Sequence, residues 1–160
     1  MKPVASVKRL SNTGTLEDRL QRLTRKDVLV GIPVKNASRP GEEINNAELL
    51  YLHTHGSPLQ HIPARPVIEP AIAAPDNKAN ITAELKEAAQ GVLEGRPEDA
   101  SRHLELAGQV GENAAVRWFT DPRNGWPRNA PSTIKAKGSD RPLIDTGELR
   151  RAITHVVEER

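Results

Sequence analysis

Apolar residues recur along this chain in short runs, and the runs change period several times. Val4, Val7 and Leu10 alternate weakly, so residues 1–14 read as an extended N-terminal arm closing on the turn Ser11-Asn12-Thr13-Gly14. Leu16, Leu20 and Leu23 follow at helical spacing behind Thr15, a residue type that caps helices, and predict a short amphipathic helix to about Lys26. Val28, Leu29, Val30 and Ile32 then predict a buried strand within Asp27–Val34, with Pro33 near its end. A polar loop, 35–43, carries Pro40-Gly41. Asn45 with Glu48 three residues later has the form of a capping box, and its helix should run to about His53, stopped by Gly56 and Pro58.

Prolines at 63, 66, 70 and 75 make the next stretch extended, with one helical turn near Glu69–Ala73. Two helices follow. The first holds Ile81, Leu85, Ala88, Ala89 and Val92, with Asn80 as its expected cap. The second opens at Pro97, with Glu98 and Asp99 at the positive end of its dipole, and carries Ala100, Leu104, Ala107, Val110, Ala114 and Trp118. This stripe is narrow and made of small residues, which suits close approach of a neighbouring element. No periodicity survives across residues 120–142, which read as a long loop. Asp145–Arg150 predicts a turn or short helix, and Ala152–Val157 a final strand. The expected fold is one α+β domain over residues 1–160: a small antiparallel sheet packed against two or three helices, with extended loops or arms.

Composition qualifies this picture. Hydrophobic residues are 36% of 160 and the aromatics are Tyr51, Trp118, Phe119 and Trp126, so the core must rest on aliphatic and alanine side chains. Thirteen prolines and eleven glycines put much of the chain in loops, as expected of a subunit that completes its packing against neighbours. Net charge is +2, unevenly spread: residues 1–40 carry nine Lys/Arg against three Asp/Glu, and residues 81–118 four against seven. Cysteine is absent, which removes disulfides and thiolate metal sites. The polar start lacks the apolar stretch of a signal peptide and no run reaches the length of a membrane span, so the expected site of synthesis and use is the cytoplasm, or a structure assembled there, with no membrane partner.

Chemistry-bearing patterns are few. Leu143-Ile144-Asp145-Thr146-Gly147 matches the way aspartic proteases present a catalytic carboxylate. Glu148 next to it would repel a shared-proton dyad, and thirteen residues are too few for the strands that should follow. Asp145 as a helix cap with Glu148 as its box partner is the better reading. His53, His55 and His61 could bind zinc, but solvated loop histidines explain them more simply. Neither a nucleophile motif nor a phosphate-cradling loop occurs. The sequence therefore predicts no enzyme, no cofactor and no metal. Arg65, fixed between Pro63 and Pro66, is positioned to bridge to a carboxylate or to backbone carbonyls of another element, and Trp126 is the one side chain in the long loop large enough to anchor it to a neighbour.

Taken in order, Gly31, Asn46-Ala47, Gly56, Ile62-Pro63-Ala64-Arg65-Pro66, Thr133, Lys137-Gly138-Ser139 and Leu143–Leu149 resemble the neck and tail-completion proteins of tailed bacteriophages, the virion-morphogenesis group. The likeness spans roughly residues 27–157. Val67 stands where the family often has an aromatic, and Thr54-His55-Gly56 departs from the usual acidic-aromatic-glycine run. The resemblance implies a non-catalytic virion subunit assembled in the host cytoplasm as one copy in a homo-oligomeric ring, a hexamer. The ring would sit at the head–tail junction as neck, tail-completion or tail-terminator protein, between the head connector and the tail tube, and leave a channel through which DNA passes without specific binding. Arg65, Trp126, Asp145 and Glu148 are its expected interface or structural residues. The rival reading is a small DNA-binding or regulatory protein that uses the basic N-terminal region.

Overall fold

The computed structural model describes residues 13–160. Most of the expected arm, residues 1–12, lies outside the described residues. The fold is α+β, with a two-stranded antiparallel sheet against a helical body. α1 (Thr13–Thr24) is already helical at Thr13, so Thr15 lies inside it and not at its cap. β1 (Lys26–Gly31) ends earlier than the apolar run, because Pro33 opens a single helical turn, α2 (Val34–Ala37). β1 pairs with β2 (Thr154–Glu159) in a register that sets Val28 against Val157 and Val30 against His155.

α3 (Asn46–His55) carries both halves of the capping box. Glu48 N–H donates to Asn45 Oδ1 at 3.0 Å, and Asn45 N–H donates to Glu48 Oε2 at 2.8 Å. α4 (Ile68–Ala73) leads into α5 (Pro75–Leu93), and a tight turn connects α5 to α6 (Pro97–Trp118). α5 starts five residues before the expected Asn80 cap. Pro75 takes its first turn with Asp76 beside it, the same device as at Pro97, and Asn77 ties back to α4 by donating Nδ2–H to Ala71 O at 2.8 Å.

α6 is the axis of the molecule, packing on α5 along one side and on the sheet along another. Ala100, Leu104, Ala107, Gly108, Gly111, Ala114, Ala115 and Trp118 are its buried positions. The small residues let the sheet come close: Gly108 lies under the His155 ring, and a Cβ at Gly111 would be 2.9 Å from Val30 Cγ2. A polar clamp reinforces the contact. Glu112 Oε2 accepts from Thr154 Oγ1 at 3.0 Å, from the His155 backbone N–H at 3.1 Å and from His155 Nδ1 at 2.7 Å. Burial works to raise the Glu112 pKa, but these donors outweigh it and the net shift is downward. The apolar core gathers at the far end of α6, where Leu50, Val67, Ala71, Trp118, Phe119, Leu149 and Ile153 meet.

The expected long loop is partly helical. A 3-10 turn, Pro122–Asn124, and α7 (Pro131–Lys137) lie within residues 120–142. Pro122 and Pro131 each occupy a first helical position, a signal that works in segments too short to show periodicity. α8 (Glu148–Ala152) ends where β2 is about to begin, which moves the last strand two residues beyond its expected start.

Candidate functional site

A groove of about 1030 Å³ opens between the extended segment after α3 and the wall formed by α7 and the turn before α8. Gly56 ends α3 at φ 72°. A Cβ there would fall 2.8 Å from both Ala64 N and Ile62 O, so the chain can fold back only over glycine. Ser57 pairs with Ile62, and Arg65 N–H donates to His53 O at 2.6 Å, which lays residues 62–66 along α3.

Arg65 is 6% exposed and meets no carboxylate. Its Nε donates to Pro127 O at 3.1 Å, and its Nη2 donates to Pro127 O at 2.9 Å and to Arg128 O at 3.1 Å. Trp126 answers from the other strand of this contact, donating Nε1–H to Pro66 O at 3.0 Å and setting its ring edge-on against Phe119 with centroids 5.8 Å apart. The two ties stitch segment 62–66 to segment 126–128. Trp126 thus anchors its loop to the chain's own core.

The floor of the groove carries polar atoms without partners. Asn129 is 9% exposed and its Nδ2 makes no hydrogen bond; nor does His53 Nδ1 or Arg39 Nε. Arg39 Nε lies 4.0 Å from Glu148 Oε2, close enough for attraction and too far for a hydrogen bond. Burial lowers the His53 pKa first, and the positive charges of Arg65 and Lys137 lower it further, so the ring is held neutral in a positive field.

Asp145 and Glu148 stand at the rim of this groove, as do His61 and the protease-like Asp-Thr-Gly stretch. The capping expected of Asp145 falls elsewhere. Gly147 takes a left-handed conformation, φ 79°, and shifts the helix start so that Glu148 N–H donates to Thr146 Oγ1 at 3.3 Å, while Asp145 is exposed. Of the three histidines, His53 and His61 both line the groove, His61 from a turn at φ 56°, while His55 stacks on Tyr51 with centroids 4.2 Å apart. Among the described residues no cluster of three His, Asp or Glu could hold a metal ion.

Sequence reading brought Arg65, Asp145 and Glu148 to notice but missed Arg39, Arg128 and Asn129. Asn129 lies between Pro127 and Pro131, the same setting that singled out Arg65, and that signal would have found it. The groove sets Arg39, Arg65, Arg128 and Lys137 among the carboxylates of Glu42, Asp145 and Glu148, a mixed-charge surface in which Arg65 is already spent on backbone carbonyls. No family model, curated protein or solved structure matches this chain.

Proposed function

We propose that this protein is a non-catalytic structural subunit of a tailed-phage particle, one copy in a ring of six at the head–tail junction. The ring joins the completed tail to the head connector and leaves a channel for DNA. The observation that carries this reading is the meeting, at one groove, of segments that bear the phage-like sequence pattern. Ile62–Pro66 and Thr133–Leu149 are separated by more than sixty residues in sequence and face each other across a surface whose buried donors lack acceptors. Such a surface suits a subunit whose polar groups are satisfied by a neighbour. The exposed apolar side chains Val34, Tyr51 and Leu59 fit the same role.

The test is reconstitution. Particles assembled without this chain should accumulate separate heads and tails, and the purified protein should restore joining. If joining proceeds equally without it, and the protein instead binds duplex DNA with an affinity that falls steeply with salt, the DNA-binding reading replaces this one.

A further inference from the structure

We infer that the outer edge of β1 is a docking site for an extended strand, and that this strand is residues 4–10 of a neighbouring copy of the chain. The inference rests on the ring reading and adds to it the contact that links one copy to the next.

The direction of each backbone group in the sheet follows from one bond just beyond its end. Arg160 N–H donates to Arg25 O at 2.6 Å, so the pairs that exchange hydrogen bonds in this antiparallel ladder are Asp27–Glu158, Leu29–Val156 and Gly31–Thr154. Lys26, Val28 and Val30 then turn their N–H and C=O groups away from β2, and His155, Val157 and Glu159 turn theirs away from β1. His155 bears out the alternation, because its outward N–H donates to Glu112 Oε2 at 3.1 Å. α6 therefore holds the β2 edge through Glu112, whereas the outward groups of Val28 and Val30 have no hydrogen-bond partner among the described residues. Both residues are half-buried, and backbone groups shielded from water call for partners. Val30 and His155 face α6 at Gly111 and Gly108, so Leu29 and its cross-strand partner Val156 lie on the opposite face, where Leu29 is 47% exposed. An open edge with an apolar side chain beside it is a template for one more strand.

The sequence offers a segment of matching length. Val4–Leu10 is seven residues without proline, against six in β1, and it carries Val4, Val7 and Leu10 and no carboxylate. Its point of attachment selects whose edge it meets. The Arg19 guanidinium lies against Gly95, Lys26 Nζ donates to Ser101 Oγ at 3.4 Å, and Val30 meets Gly111. α1 and β1 thus advance in the same sense along α6, which puts Thr13 at the end of α1 remote from the β1 edge. To pair with its own β1, the arm would first retrace the 12 residues of α1, about 18 Å. That distance uses about five or six extended residues at ~3.3 Å each. Only Met1 to about Val7 would remain to pair, interrupted by Pro3, which has no N–H to give to a ladder. A neighbour's edge can take the whole proline-free stretch. Such a contact joins two different surfaces, an arm and an edge, and its repetition closes into a ring when the rotation between copies allows.

The chain has no cysteine, so engineered pairs report cleanly. Leu29→Cys is combined in turn with Ala5→Cys, Ser6→Cys, Val7→Cys and Lys8→Cys in the full-length protein, and each double variant is oxidised and run on a non-reducing gel. Disulfides should form at alternate arm positions only, the period of a strand, and should link copies into dimers and higher oligomers. Val7→Pro should weaken association at least tenfold in sedimentation velocity while leaving the melting temperature unchanged. Cross-links confined to the monomer band would assign the arm to its own sheet. Equal linking at all four positions, no linking at any, or wild-type association of Val7→Pro would remove the strand pairing. In each of these cases, with wild-type rings still forming, the inference fails and the ring reading stands. If wild type stays monomeric at every concentration and does not join heads to tails, both fail together.

Discussion

Asp145 and Gly147 are two positions apart, yet only the second holds the start of α8 in place. Gly147 has φ 79°, and a Cβ there would lie 3.0 Å from Arg151 Nη1. Gly147→Ala should cost about 1–2 kcal/mol, the penalty of a left-handed non-glycine residue, whereas Asp145→Ala should leave the melting temperature unchanged. Equal losses from the two substitutions would return the cap to Asp145. His53 gives a second residue-scale expectation. Its folded pKa is depressed below the 6.5 of a free imidazole, so as pH falls the unfolded chain takes up the proton first. Stability should therefore decline as pH drops below 6.5, in a window above the carboxylate range. His53→Gln should flatten that part of the profile in thermal melts at pH 7.5 and 5. An unchanged slope would mean that the ring is not buried in a positive field.

At the scale of elements, local chemistry was legible wherever a cap or an N-terminal proline marks a boundary. The Asn45–Glu48 box and Pro97 show this directly. Pro75 used the same device and was read past, because Asn80 offered a more familiar cap. Residues 120–142 hid their order for a different reason. They are held by single long-range ties, Arg65 to the Pro127 and Arg128 carbonyls and Trp126 to Phe119 and Pro66 O, which leave no periodic trace in sequence. Trp126→Ala should consequently lower stability by about 2–3 kcal/mol, somewhat less than truncation of a fully buried tryptophan. An unchanged melting temperature in chemical or thermal denaturation would contradict an intramolecular anchor. Between α6 and the sheet, a Cβ at Gly108 would come within 2.8 Å of His155 Cγ and push the imidazole off Glu112. Gly108→Ala should cost about 1–3 kcal/mol, the range for overpacking; a neutral melt would show that the ring can move aside.

For the whole molecule, the α+β class followed from alternating periods in the sequence, while the groove did not. It forms from α3, a proline-fixed extended segment, α7 and the turn into α8, and only the folded chain brings these together. The most direct measurement is an averaged electron density map of the neck of intact particles. Six copies of this fold are expected in a ring between the head connector and the tail, surrounding the DNA channel. A neck fully accounted for by other chains, with this protein absent from the purified particle, would contradict it.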